Sequence, residues 1–117
     1  MPNKLIFISQ PMSGLSEHEI DRVRSQIMDQ IPFKLGIDNP VEVPKHSRYW
    51  AAANHPAACL GRSIMDMASA NLVIFAPGWE KARGCVIERA VCKAYKLSYI
   101  ELRETEEGYE IIEGDDE

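Results

Sequence analysis

The run Leu72-Val-Ile-Phe-Ala76, followed at once by Pro77-Gly78, is the stretch that decides the fold. Five consecutive apolar residues are typical of a central strand covered on both faces, as in a parallel sheet. Pro77 and Gly78 end this strand, and a helical pattern follows from about Cys85 to Lys96. The spacing predicts an apolar side of this helix facing inward and a basic side facing outward: Ile87, Val91 and Ala94 against Arg89, Lys93 and Lys96.

The first third of the chain predicts a strand, a loop and a helix. Lys4–Ile8 is a short apolar run of strand type, and the breaker-rich stretch Ser9–Leu15 follows it as a loop. Ser16 and Glu19 have the spacing of a helix N-terminal capping box. Apolar residues then recur at helical intervals until Pro32, where the pattern predicts that the helix stops: Ile20, Val23, Ile27 and Ile31.

The middle of the chain is less regular. Ile37–Val43 reads as an extended segment that Pro40 either shortens or confines to a sheet edge. Residues 44–58 have no clear periodicity and predict a long loop with one helical turn, in which His46 and His55 are ordinary loop histidines. A helical face then closes at residues 69–71: Leu60, Ile64 and Met67.

The predicted fold is an α/β domain. Ser98–Leu102 adds a strand, and Tyr109–Ile112 adds a possible hairpin strand after the Glu107-Gly108 turn. Alternating strands and helices predict a Rossmann-like, doubly wound, mostly parallel sheet of four to five strands with helices on both faces. We assign residues 1–102 to this domain and residues 103–117 to an acidic extension, a hairpin strand followed by a disordered tail.

Charge is distributed unevenly along the 117 residues. Residues 101–117 hold nine of the 18 acidic residues and one of the 13 basic ones, so residues 1–100 carry a net charge of +3 although the whole chain carries −5. A mildly basic body suits a small anionic ligand such as a nucleotide and falls short of a nucleic-acid footprint. The acidic end has the ordinary explanation of a solubilising tail.

Other features of the composition narrow the class of protein. The three cysteines are Cys59, Cys85 and Cys92, and their spacing suggests neither a disulfide framework nor a zinc site. Cys85 and Cys92 are predicted to be reduced core thiols on one helix. With no long apolar run and no signal peptide, we expect a cytoplasmic protein that interacts with no membrane.

Glu88 is the strongest candidate for chemistry. It lies in the predicted first turn of a helix entered through the loop that holds Gly78 and Gly84. A carboxylate held there in its ionised form is a usable nucleophile for the anomeric carbon of an N-glycoside. A glutamate at this position is also stabilised by the helix dipole without any catalytic role, and spacing alone does not separate the two explanations.

Two loops follow strands at the same predicted end of the sheet. The loop Ser9–Gly14 offers hydroxyls and backbone amides to a phosphate or a sugar hydroxyl. In the second loop Trp79 is able to stack on a base, and Lys81 and Arg83 are able to neutralise a phosphate. Each of these residues also has an ordinary surface explanation.

The segments Ile6–Gly14 and Ser69–Glu88 together resemble the nucleoside 2-deoxyribosyltransferase-like superfamily, in particular its small phage and bacterial branch. The resemblance covers most of residues 4–100. It implies a Rossmann-like fold, cleavage or exchange of the bond between a base and a (deoxy)ribose, no metal or redox cofactor, and a homo-oligomer, a dimer or higher. The family nucleophile is the Glu of a Gly-x-x-x-Glu pattern, which falls on Gly84 and Glu88.

The sequence departs from the family pattern at four positions. Gln10 stands where the first loop usually has Gly, Ser63 and Asn71 stand at usual Asp positions, and Ala82 replaces a serine that contacts phosphate in the hydrolase branch. Asp66, one helical turn after Ser63, is the residue expected to replace the missing carboxylate in part. Glu80 is a second possible helper.

These considerations lead to two hypotheses of different class. The first is an N-glycosidic enzyme, a deoxyribosyltransferase or nucleotide N-hydrolase, with Glu88 and Asp66 catalytic and no metal. The second is a non-catalytic nucleotide-binding module that acts as a sensor or sequesters its ligand. In both, the partner is a nucleoside or nucleotide, and the binding residues are predicted to be Phe7, Ser9, Gln10, Met12, Ser13, Gly14, Gly78, Trp79, Arg83 and Gly84.

Overall fold

Five strands form one sheet in the computed structural model, which describes residues 4–44 and 55–113. The strands are β1 (Lys4–Ser9), β2 (Pro40–Glu42), β3 (Leu72–Phe75), β4 (Tyr99–Thr105) and β5 (Gly108–Glu113). Their order is β2-β1-β3-β4-β5, and all pairs are parallel except β4 with β5. The predicted α/β fold with a mostly parallel sheet is confirmed, and the apolar run beginning at Leu72 is its central strand.

Within residues 4–44 and 55–113, three α-helices cover the two faces: α1 (Glu17–Lys34), α2 (Pro56–Ala68) and α3 (Arg83–Tyr95). Alternate strand residues point to opposite faces, so the sheet separates two apolar clusters. On one face Ile6 and Ile74 pack with Ile27 of α1. On the other face Phe7 packs with Met67 of α2 and Cys92 of α3.

The ends of α1 follow from local sequence. The predicted capping box is present, because the Ser16 hydroxyl accepts a hydrogen bond from the Glu19 amide at 3.1 Å. The predicted stop at Pro32 is wrong, since the helix continues to Lys34. A proline in the last turn removes only one helical hydrogen bond. The real stop is Gly36 at a φ of 68°, a left-handed residue that glycine adopts without strain.

The inward side of α3 agrees with the prediction at Val91, which packs against the core, and differs from it elsewhere. Cys85, Glu88 and Cys92 are buried, whereas Ile87 is 38% exposed. Ala94, also predicted to face inward, is exposed as well. An apolar pattern places every glutamate on the surface, but Glu88 is buried where α3 meets β1 and α2. Hydroxyls of Ser9 and Ser63 donate to it there. The prediction of two reduced core thiols on this helix is confirmed, because Cys85 and Cys92 are buried and neither forms a disulfide.

The remaining predictions concern the edges of the sheet and the chain after residue 102. β2 is both short and at an edge, as Pro40 indicated. The acidic segment contributes to the sheet itself, because β4 continues to Thr105 and β5 pairs with it as a hairpin strand. Residues 114–117 lie outside the described residues. So do residues 45–54 of the predicted long loop, including His46, while α2 already begins at Pro56.

The carboxyl ends of β1 and β3 lie side by side. Ser9 is paired with Phe75 in the register, and the Ala76 amide donates to the Ser9 carbonyl at 2.8 Å. The loops that follow these two strands therefore begin at one edge of the sheet. In open α/β sheets this is the edge at which ligands bind.

Candidate functional site

A buried carboxylate held by two serines is the centre of the site. The Ser9 hydroxyl donates to Glu88 Oε1 and the Ser63 hydroxyl donates to Glu88 Oε2, each at 2.6 Å. The Glu88 residue is 5% exposed, and the described part of the chain gives it no ion-pair partner. Short hydrogen bonds of this kind are typical of a hydroxyl donating to an ionised carboxylate.

Three elements supply these three residues. Ser9 is the last residue of β1, Ser63 lies in the middle of α2, and Glu88 is the sixth residue of α3. The predicted position of Glu88 in the first turn is therefore wrong, because α3 begins at Arg83. The helix dipole acts mainly within the first turn, so the serine hydroxyls, rather than the free helix amides, hold this carboxylate.

A cleft of about 480 Å³ opens above the carboxylate. It lies between the loop after β1, the first half of α2 and the start of α3. Its lining combines one acid, two cations, several small polar groups and apolar side chains: Gln10, Met12, Ser13, Cys59, Leu60, Ser63, Lys81, Ala82, Arg83, Gly84, Cys85 and Glu88. The volume is that of a small-molecule site.

The start of α3 forms one wall of this cleft. Ala82 precedes the helix and makes no side-chain capping bond, so the first amides have no cap from that side chain. Uncapped amides at a helix start favour an anion. Lys81 and Arg83 border the same wall, which makes it the electropositive end of a cleft whose floor is a carboxylate.

The loop after β1 forms another wall of the cleft. Gln10 is 6% exposed, and its Nε2 donates to the Ile20 carbonyl of α1 at 3.1 Å. Met12 and Ser13 line the cleft, and the Leu15 amide closes a turn on the Met12 carbonyl at 3.1 Å. Gly14 has a φ of 79° in that turn and does not border the cleft.

Six of the predicted residues are thus brought together around the cleft: Gln10, Met12, Ser13, Arg83, Gly84 and Glu88. Ser9 joins them through its hydrogen bond to Glu88. The sequence patterns predicted no binding role for Ser63. Its spacing from Leu60 and Met67 places it on the inward side of α2, and this signal was available.

Other predicted residues lie elsewhere. Phe7 is wholly buried in the core. Gly78, Trp79 and Glu80 line a separate cleft of about 440 Å³. The Trp79 ring packs 5.9 Å from that of Phe75, and the Arg89 guanidinium lies 4.9 Å from the Trp79 centroid.

Asp66 does not border the cleft either. Its residue is 7% exposed, and its carboxylate pairs with Arg62 Nε at 3.8 Å, one turn earlier in α2. Asp66 follows Ser63 by three residues, so the two side chains point in different directions around the helix axis. Ser63 lines the cleft and Asp66 does not. His55, predicted to be a loop histidine, caps α2 by accepting from the Ala57 amide at 3.0 Å.

The Cys92 thiol is a titratable group that lies wholly buried in the core. Burial raises the pKa of its thiol to about 12, and the nearby negative charge of Glu88 adds to the effect while Arg89 opposes it. Its Sγ lies 3.8 Å from the Met67 sulfur. The thiol therefore stays protonated in the core beneath Glu88.

Comparisons of the chain with known protein families, with curated proteins and with solved structures found no match. Within residues 4–44 and 55–113, no group of three or more histidine, cysteine, aspartate or glutamate side chains is placed to hold a metal ion. No described helix is long and apolar enough to cross a membrane.

Proposed function

We propose that this protein cleaves or transfers the N-glycosidic bond of a (deoxy)nucleoside or its monophosphate, with Glu88 as the nucleophile. One observation carries the proposal. A buried carboxylate without an ion-pair partner in the described chain forms part of a cleft at the carboxyl ends of β1 and β3, and two serine hydroxyls fix both of its oxygens.

The geometry suits attack on an anomeric carbon. Each Glu88 oxygen accepts one hydroxyl hydrogen bond and keeps a second lone pair. In the reaction, a lone pair of Glu88 forms a bond to C1′ while the bond from C1′ to the base nitrogen breaks and the base leaves with its electron pair. Water, or the nitrogen of a second base, then displaces Glu88 from C1′ and restores the carboxylate. Water protonates the departing base.

The uncompensated charge of Glu88 contributes to this step. The transition state resembles an oxocarbenium cation, and a negative charge held nearby in a partly dry site stabilises it more than it stabilises the neutral substrate. Ser9 and Ser63 are neutral donors, so they position the carboxylate without neutralising it. A lysine or arginine in their place would weaken that stabilisation.

The electropositive wall suggests the form of the substrate. Lys81, Arg83 and the uncapped start of α3 suit a 5′-phosphate at one end of the cleft, while the sugar reaches Glu88. A monophosphate therefore fits the distribution of charge better than a free nucleoside.

One observation favours the second candidate function, a non-catalytic nucleotide-binding module. Glu88 is the sole acidic residue among the described residues that line the cleft. No second carboxylic acid stands there to protonate the leaving base or to activate water. A protein that kept the pocket and lost turnover would have this composition.

The test is release of free base from deoxynucleosides, ribonucleosides and their monophosphates, followed by chromatography. We expect release by the wild type and at least a hundredfold loss in Glu88→Gln, which keeps the shape and removes the nucleophile. Asp29→Asn, an exposed acid on α1, is the matched control and should retain activity. Nucleotide-dependent thermal stabilisation without any base release would favour the binding module.

A further inference from the structure

Gln10 has an unused hydrogen-bond acceptor beside the proposed site. Its Oε1 is buried and has no partner in the described part of the chain, whereas its Nε2 is fixed on the Ile20 carbonyl at 3.1 Å. The fixed Nε2 determines which end of the amide remains unpaired. Leaving a buried acceptor unpaired is costly, so such groups often mark a function.

The position of Gln10 connects this acceptor with the ligand. The residue lines the cleft and follows Ser9, whose hydroxyl holds Glu88. An acceptor requires a donor, so the phosphate of a nucleotide is not its partner. If C1′ lies at Glu88, the sugar hydroxyls are the ligand donors nearest to the residue that follows Ser9.

We infer that Gln10 determines sugar specificity, by accepting a hydrogen bond from a ribose hydroxyl through Oε1. The inference rests on the proposed function. A site that provides a buried acceptor for a hydroxyl rejects the analogue that lacks it, because the acceptor then remains unpaired when the ligand excludes water. Gln10 is accordingly a specificity residue and takes no part in bond cleavage.

The experiment compares adenosine monophosphate with its 2′-deoxy and 3′-deoxy analogues, by binding and by kcat/KM for base release. In the wild type we expect removal of one of the two hydroxyls to lower the affinity or kcat/KM about 10- to 100-fold. Gln10→Met keeps the length of the side chain without the acceptor. In this variant the ratio between the paired ligands should fall to within about twofold, whatever the change in the absolute activity toward each of them.

The controls separate the possible failures. Met12→Ala changes another cleft residue and should weaken all three ligands alike, leaving their ratios unchanged. Equal use of the three ligands by the wild type, or a ratio unchanged in a folded Gln10→Met, overturns the role of Gln10 while the proposed function stands. The adenine amino group is another donor that Gln10 Oε1 could accept from, and purine riboside monophosphate lacks it. If Gln10→Met changes the preference between adenosine monophosphate and this analogue instead, the role of Gln10 in sugar specificity is overturned as well. No binding or turnover of any nucleotide overturns both.

Discussion

At the scale of single residues, the site depends on how one buried charge is stabilised. In the folded protein two serine hydroxyls replace water as hydrogen-bond donors to the Glu88 carboxylate. A buried carboxylate is costly without such donors, so its burial depends on both serines. The choice of Glu88 was possible from the sequence because a glutamate follows a glycine-containing loop. Its partners were not, since Ser9 and Ser63 are 54 residues apart and meet only through the fold.

Replacing Ser63 with alanine should impair both stability and turnover. The change leaves Glu88 Oε2 without its hydroxyl donor, so we expect the free energy of unfolding to fall by about 1–3 kcal/mol and kcat to fall at least tenfold. Urea denaturation and base-release kinetics measure the two effects, and Ser63→Thr should restore much of each.

Ser69→Ala is the matched control for this prediction. Its hydroxyl donates to the Asp66 carbonyl at 2.7 Å near the end of α2, outside the cleft. For Ser69→Ala we expect the free energy of unfolding to fall about as much as for Ser63→Ala, while kcat stays normal. If Ser63→Ala also retained normal kcat, Ser63 would not position the nucleophile.

The thiols should differ sharply in reactivity. A pKa of about 12 leaves about one Cys92 thiol in ten thousand ionised at pH 8, and the residue has no exposed surface. Half-buried Cys59 lines the cleft. We expect a disulfide reagent to modify Cys59 in the folded protein and Cys92 only after unfolding, as peptide mass mapping will show. Rapid modification of Cys92 in the native state would contradict this account of its environment.

At the scale of elements, sequence patterns predicted those parts of the fold that local chemistry controls. The central strand, the cap at Ser16 and the edge position near Pro40 all follow from rules that act within a few residues. The burial of Glu88 on the inward side of α3 could not be predicted from local patterns, because it depends on serine hydroxyls of β1 and α2. The end of α1 did not follow from Pro32, because a proline in the last turn is tolerated and Gly36 ends the helix.

The two helical glycines Gly61 and Gly84 provide a matched pair. A Cβ at Gly61 meets open space, and one at Gly84 lies 3.8 Å from Leu60 Cδ1, an ordinary contact. Each change to alanine should therefore raise the free energy of unfolding by up to about 1 kcal/mol.

Function should separate this pair. Gly84 borders the cleft at the start of α3 and Gly61 does not, so Gly84→Ala should weaken nucleotide binding several-fold whereas Gly61→Ala should not. Isothermal titration and denaturation measure both effects. Equal nucleotide binding by the two variants would contradict the placement of the phosphate at the start of α3.

At the scale of the whole molecule, distant parts of the chain meet on both faces of the sheet. The β4–β5 hairpin contains much of the acidic segment, yet its Tyr109 packs in the core with α1 and its hydroxyl donates to Gln26 Oε1 at 3.0 Å. Composition predicted the acidity and the hairpin turn. It gave no indication that this segment completes the core, because that contact joins residues 83 apart in sequence.

Tyr109 gives the fold a dependence on high pH. Burial raises its pKa, the charge of Glu104 adds to the effect, and Arg22 opposes it. The unfolded chain therefore releases this proton first. The stability that the neutral phenol contributes is complete below about pH 10 and is lost as the pH rises through the folded pKa.

Tyr109→Phe tests this linkage. The variant should lose about 1 kcal/mol at pH 7 with the hydrogen bond to Gln26, and its deficit should shrink above pH 10. Urea denaturation from pH 7 to 11 measures the difference. A deficit that grows with pH would show that the phenol is more acidic in the folded state.

The most direct test of the central claim, that Glu88 is a glycosyl nucleophile, is to trap the intermediate. The wild type is mixed with a substrate whose sugar carries fluorine at C2′, which slows the second step, and is then quenched and digested for mass spectrometry. The account predicts release of the base and a sugar ester on the peptide that contains Glu88. Base release without that adduct, an adduct on another residue, or no reaction with any nucleotide would contradict it.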